Sequence, residues 1–141
     1  MIIAKRWLIF LALVTSQIVH SQALNLKITI NNVRDAKGII WVALHQSGED
    51  FMQKRFMSIQ LISTKGQTTG FFADVPPGVY AVSILHDANS NSVLDTNVIG
   101  IPTEGFGFSN DAMGLFGPPK FKKASFDFPK VKNIIITMKY M

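Results

Sequence analysis

From Leu24 to Asn31 apolar and polar residues alternate, with Leu24, Leu26, Ile28 and Ile30 on one side and Asn25, Lys27, Thr29 and Asn31 on the other. A period of two marks a strand with one buried and one wet face, so a first strand is predicted here. Asp35-Ala36-Lys37-Gly38 reads as a turn, and residues 39–45 form a second strand that is apolar on both faces except at its end. The Gly-containing turn between these two strands predicts a hairpin. Residues 51–56, after Ser47-Gly48-Glu49-Asp50, are too few and too mixed for more than a helical turn or an irregular connection. Strands three and four are predicted over residues 57–63 and 68–75, separated by Lys65-Gly66-Gln67. Pro76-Pro77-Gly78 cannot continue a ladder, because proline lacks the N–H and the glycine favours a turn. A fifth strand follows over 79–86, and two more over 124–128 and 133–140. Seven short strands without a helix of normal length predict an all-β fold, a single antiparallel seven-stranded sandwich.

Residues 87–123 break this rhythm. They show no helical or strand period and contain five glycines and three prolines. A connection this long in a compact domain is functional or disordered. Phe106, Phe108, Phe116 and Phe121 have an incentive to bury, which predicts an ordered loop. The expectation is that these rings lie down on the end of the sandwich; the competing reading presents Phe106, Phe108 and Phe116 to a glycan or peptide as a ligand surface.

The N-terminus adds a compartment. Lys5 and Arg6 precede the apolar run Trp7–Val14, and a more polar stretch ends at Val19-His20-Ser21. This is the three-part layout of a signal peptide over residues 1–21, with cleavage expected between Ser21 and Gln22 and a β-sandwich domain over 22–141. Stretched from Trp7 to Ile18 the apolar run reaches about twelve residues, short of the ~20 that span a bilayer, so no integral membrane segment is expected after cleavage. Export to the periplasm or the extracellular space follows. The chain has no cysteine, so no lipid anchor can be built on one, and no disulfide assists an exported fold. Without Lys5 and Arg6 there are 12 basic against 9 acidic residues, a net charge of +3, too mild an excess to imply a nucleic-acid partner.

The sharpest local pattern opens the long loop. In His86-Asp87-Ala88-Asn89-Ser90-Asn91-Ser92-Val93-Leu94-Asp95, oxygen-bearing side chains fall at positions 1, 3, 5 and 9 counted from Asp87. That is the spacing of a calcium loop, in which alternate side chains on a tight curl converge on one hard cation. Asp87, Asn89, Asn91 and Asp95, with the Val93 carbonyl, are the candidate ligands. Position six is Ser92 where glycine makes the turn, and position twelve is Val98 where a bidentate Glu closes the shell. Glu104 or Asp111 could supply the missing carboxylate. Two certain carboxylates place calcium affinity in the range of ~10⁻⁴–10⁻³ M. The competing reading is an Asx-rich turn bonded to its own backbone with no metal.

Enzymatic patterns are sparse. Gly107-Phe108-Ser109-Asn110-Asp111 lacks the second glycine of a nucleophile elbow. His45 and His86 both end predicted strands, where a His pair with Asp87 could hold zinc; Asp87, Asp95 and Glu104 could pair as glycosidase carboxylates.

The runs Phe72-Ala73-Asp74-Val75-Pro76-Pro77-Gly78-Val79-Tyr80-Ala81-Val82, His86-Asp87-Ala88-Asn89-Ser90-Asn91, Gly100-Ile101-Pro102-Thr103-Glu104-Gly105-Phe106-Gly107-Phe108-Ser109-Asn110 and Phe116-Gly117-Pro118-Pro119-Lys120-Phe121 resemble, in this order, the bacterial secreted family catalogued as domain of unknown function 2141. The resemblance covers nearly the whole chain after residue 21. It implies secretion and implies no activity; the acidic turn of that family usually has glycine where this chain has Ser92. Val75-Pro76-Pro77-Gly78-Val79-Tyr80 also resembles the Pro-Gly-x-Tyr turn of transthyretin-like and carboxypeptidase-regulatory-like sandwiches, which implies a prealbumin/Ig-like topology.

The leading reading is a non-enzymatic exported binding or accessory domain whose long loop is its working surface, ordered by calcium or by its own hydrogen bonds, with a glycan, peptide or envelope protein as partner. Two alternatives stay open. One is an extracellular or periplasmic hydrolase using His86, Asp87 and Glu104, and the other a structural module of the envelope.

Overall fold

The structure, a computed structural model, describes residues 24–46 and 48–141. The leader over 1–21 and its cut before Gln22 lie outside the described residues. Among the described residues there are eight strands: β1 (Leu24–Val33), β2 (Ile39–His45), β3 (Met57–Ile62), β4 (Gly66–Val75), β5 (Gly78–Asp87), β6 (Gly105–Phe108), β7 (Phe126–Phe128) and β8 (Asn133–Thr137). A single helical turn, α1 (Phe121–Ala124), and a 3-10 turn (Ser109–Asp111) complete the elements. No helix of the described residues is long and apolar enough to cross a membrane.

Two sheets enclose one apolar core. The first has the order β4-β1-β8 and the second β3-β2-β5-β6, with β7 paired to the start of β5. Alternation decides what enters the core: Leu26, Ile28 and Ile30 from β1, Ile134 and Ile136 from β8, and Phe72 from β4 meet Ile40, Val42 and Leu44 from β2 and Tyr80, Val82 and Ile84 from β5. Tyr80 is fully buried, and its hydroxyl donates to the Pro76 carbonyl at 2.8 Å across the Pro-Pro-Gly turn.

Four expectations are corrected. The first two strands do not form a hairpin: β1 pairs with β4 and β8, whereas β2 pairs with β3 and β5. Gly38 explains the divergence. It adopts φ +68° and packs directly on the backbone of Asp87 and Ala88, which sends the chain into the other sheet instead of back along β1. The sandwich is not wholly antiparallel, because β8 lies parallel to β1 from Lys27↔Asn133 to Asn31↔Thr137. The chain reaches it by crossing over from the second sheet, and a crossover permits parallel pairing where a tight turn does not. The eighth strand is β6, inside the long loop. Its Gly-Phe-Gly-Phe sequence hides a period of two in which the inward positions are glycine. A Cβ on Gly105 would lie 2.5 Å from Tyr140 Cε1 and one on Gly107 2.8 Å from Ile136 Cγ2, so neither position has room for a side chain. The last two strands are also shorter than expected, because α1 takes residues 121–124 and the ladder of β8 ends at Thr137.

Candidate functional site

Residues 40, 42 and 44 of β2 and 80, 82 and 84 of β5 face the core, so 41, 43, 45 and 83, 85, 87 face the other way. The register aligns them: Trp41 opposes Leu85 and Ala43 opposes Ser83, while β6 brings Phe106 beside Leu85 and Phe108 beside Ser83. The outer face of the second sheet is therefore an apolar floor. In a two-layer sandwich such a face meets water, and here the long loop arches over it. Between floor and loop lies a cavity of about 530 Å³. Leu94 and Pro102 border it on one side, Met113 and Leu115 on another, and Met52 and Arg55 come from the connection after β2.

One polar pair interrupts the floor. His45 is buried, its ring edge-on to Phe51 at a centroid distance of 5.1 Å. Nδ1 lies 3.0 Å from the Lys54 carbonyl oxygen and Nε2 2.9 Å from Ser83 Oγ. A carbonyl only accepts, so Nδ1 carries the proton, Nε2 accepts, and the Ser83 hydroxyl donates to it. Burial pulls the His45 pKa below 6.5 and the Arg55 charge pulls the same way, against the opposing effect of the Lys54 carbonyl. The ring is therefore neutral at pH 7 and the tautomer holds. A serine whose proton is held by a histidine resembles a nucleophile, but β5 is paired on both edges at Ser83, with Ala43 and Phe108. Its backbone is thereby committed to ladders rather than turned toward an oxyanion, and the pair serves as a polar anchor.

The arch above the cavity opens with the predicted calcium-type run, and its side chains do converge. Asp87 is buried and accepts from the Ser92 N–H at 2.7 Å, the Asn91 N–H at 3.0 Å and the Trp41 indole at 3.4 Å. Asp95 accepts from the Asn89 and Asn91 amides at 2.6 and 3.0 Å. Asn89 Oδ1 accepts from the Asn91 N–H, and Asn91 Oδ1 from the Val93 N–H at 2.9 Å. Ser92 adopts φ +63°, the left-handed conformation for which glycine is favoured at position six. Glu104 reaches this loop: its carboxylate accepts from the Ala88 N–H at 3.0 Å and the Asp95 N–H at 3.2 Å, tying the two ends together. Asp111 goes elsewhere, accepting from the Thr137 N–H and hydroxyl at 2.7 and 3.0 Å. Among the described residues no group of three His, Cys, Asp or Glu side chains is placed to hold a metal ion.

His86 and Asp87 are not brought together. Adjacent on β5, they point to opposite faces. His86 is buried at the end of the core, where Nε2 donates to the Lys37 carbonyl at 2.8 Å and Nδ1 accepts from the Tyr140 hydroxyl at 2.8 Å. Ser63 Oγ lies 3.1 Å from the same Nε2 and donates to the Asp35 carbonyl. The cluster closes the sandwich. The aromatic residues of the loop also divide: Phe108 is buried and Phe106 half-buried on the outer floor rather than in the core, while Phe116 is fully exposed.

His45, Ser83 and Arg55 escaped the sequence reading as a group. The one signal for them was β2, whose apolar residues on both faces mark a sheet covered on both sides.

A family model described as "Uncharacterized protein conserved in bacteria (DUF2141)" matches residues 28–136. No curated protein and no solved structure shows a match.

Proposed function

The chain belongs to that family of bacterial proteins, and from this premise we propose that it is an exported binding protein that holds a small, mainly apolar molecule in the cavity over the outer face of its second sheet. The leader pattern of residues 1–21 supports export. Protein recovered from outside the cytoplasm is expected to begin at Gln22, checked by intact mass; a mass that retains residues 1–21 sinks the export reading.

The observation that carries the binding reading is the cavity itself: about 530 Å³, floored by Trp41, Leu85, Phe106 and Phe108, with one polar pair made of buried His45 and half-buried Ser83. A concave, mostly apolar site with few placed polar groups is the form that small-molecule sites take. Removing about 300 Å² of ligand apolar surface from water contributes roughly 7 kcal/mol, against which the cost of association is set. The neutral dye N-phenyl-1-naphthylamine is expected to bind with a rise in fluorescence. Ala43→Trp, which fills the centre of the floor, should weaken that binding at least ten-fold while leaving the β-sheet circular dichroism unchanged. Equal binding by both chains overturns the assignment.

A second reading concerns the arch. Convergence of Asp87, Asn89, Asn91 and Asp95, with Ser92 in the left-handed turn, supports a calcium ion held there with Glu104 locking the loop ends. With a dissociation constant near 1 mM, 10 mM calcium stabilises the fold by about 1.4 kcal/mol, a melting shift of roughly 4 °C for a domain this size. A melt unchanged between calcium and chelator returns the loop to an Asx turn held by its own bonds. The scaffold itself we assign to the prealbumin type, on the support of the strand, turn and strand over residues 75–80 with Tyr80 bonding back to Pro76.

A further inference from the structure

Among the described residues, Arg55 is the only formally charged side chain that lines the cavity, and no Asp or Glu side chain lines it. Arg55 also takes part in neither of the two salt bridges found among the described residues, and it is exposed, so its guanidinium is free to turn toward a guest. The polar pair beside it does not offset this charge. His45 and Ser83 are joined by a hydrogen bond of 2.9 Å that uses the serine proton, and the second histidine nitrogen is taken by Lys54. Arg55 is close enough for its charge to disfavour a second cation on His45. The other side chains of the walls, among them Trp41, Leu85, Leu94, Phe106 and Leu115, are uncharged.

An apolar chamber with one unpaired cation at its edge is complementary to a molecule with an apolar body and a single anionic end. A guanidinium presents its donors in a planar fork that matches a carboxylate bidentately. We propose that the ligand is a single-chain anionic amphiphile, of the kind represented by a medium-chain carboxylate, seated with its tail over the Trp41–Leu85–Phe106 floor and its anionic group at Arg55. This rests on the cavity being a binding site and adds the chemical class of its occupant.

The test is isothermal titration of the chain from Gln22 onward with dodecanoate, dodecanol and dodecylamine, each below its micelle concentration, beside the dye displacement assay with N-phenyl-1-naphthylamine. Dodecanoate is expected to bind at least ten-fold tighter than dodecanol, with dodecylamine weakest. Arg55→Gln should bring the ratio of dodecanoate to dodecanol affinity to within about two-fold of one, and Arg55→Lys should restore part of it, since lysine keeps the charge without the fork. Dodecanol binding as tightly as dodecanoate, or a preference that survives Arg55→Gln, overturns the anionic assignment and leaves the cavity standing as a binding site. If neither the dye nor any of the three amphiphiles binds, the cavity reading fails and the proposal falls with it.

Discussion

Asp87→Ala is expected to destabilise the fold by about 3 kcal/mol or more and to abolish dye binding in the cavity. The carboxylate is buried and accepts from two backbone N–H groups of the arch and from the Trp41 indole on the cavity floor. Each hydrogen bond to a charged acceptor is worth about 1.5–3 kcal/mol, and truncation leaves the donors buried without partners. Of the three, the Trp41 contact at 3.4 Å is the weakest, but it is the one that couples the arch to the floor. Urea unfolding followed by tryptophan fluorescence measures the loss of stability, and dye titration the loss of the site. Acid dependence supplies an independent reading. Burial by itself raises the Asp87 pKa, but the bonds from Ser92, Trp41, Asn91 and Ser90 outweigh it and hold the group below its ordinary value of 3.8. A carboxyl whose folded pKa is depressed contributes stability above its unfolded pKa and loses it as the pH falls through the folded value. The native chain should therefore lose part of its stability below about pH 4, a component that Asp87→Ala lacks. A variant that melts within a degree of the native chain, with an unchanged acid limb, would falsify this account of the loop.

The contrast between Asp87 and its neighbours shows which parts of the site sequence could reach. The 1, 3, 5, 9 spacing from Asp87 to Asp95 is local, so a tight turn brings those side chains together whatever the rest of the fold does. Glu104 lies nine residues beyond Asp95, and its reach depends on the arch closing, which spacing does not determine. The link from His45 to Ser83 spans 38 residues and exists because β2 and β5 pair with Ala43 opposite Ser83; a shift of one residue in that register would turn one partner into the core. His86 and Asp87 fail as a catalytic pair for a reason that was visible, since consecutive residues of a strand point to opposite faces. β6 was hidden by its composition: strand propensity is read from side chains, and half of its residues carry none because Tyr140 and Ile136 occupy the space. The two-sided apolar character of β2 was legible and had a structural meaning, namely a third layer formed by the loop.

Gly38→Ala tests the junction on which both sheet and arch depend. Gly38 sits at φ +68°, and a Cβ there would lie 2.0 Å from the Asp87 carbonyl oxygen and 2.7 Å from Ala88 Cα. That backbone has little freedom to retreat, because Asp87 is paired with Ile39 in the ladder and the Ala88 N–H is bonded to Glu104. On the other side, the Lys37 carbonyl is held by His86. The left-handed conformation costs an alanine about 1 kcal/mol and the overlap about 1–3 kcal/mol more, a total near 3 kcal/mol. Gly66→Ala separates the two contributions, since Gly66 also has positive φ, at +89°, but a Cβ there meets nothing within 4 Å. It should cost only the backbone share, about 1 kcal/mol, and leave dye binding intact. The two variants are expected to differ by about 2 kcal/mol in urea unfolding, with only Gly38→Ala weakening the dye, because the backbone it displaces is the one that launches the arch from Asp87. Equal losses for both would mean that the close approach of Gly38 to Asp87 does not constrain the protein, and that the cavity owes its wall to the loop's internal bonds alone.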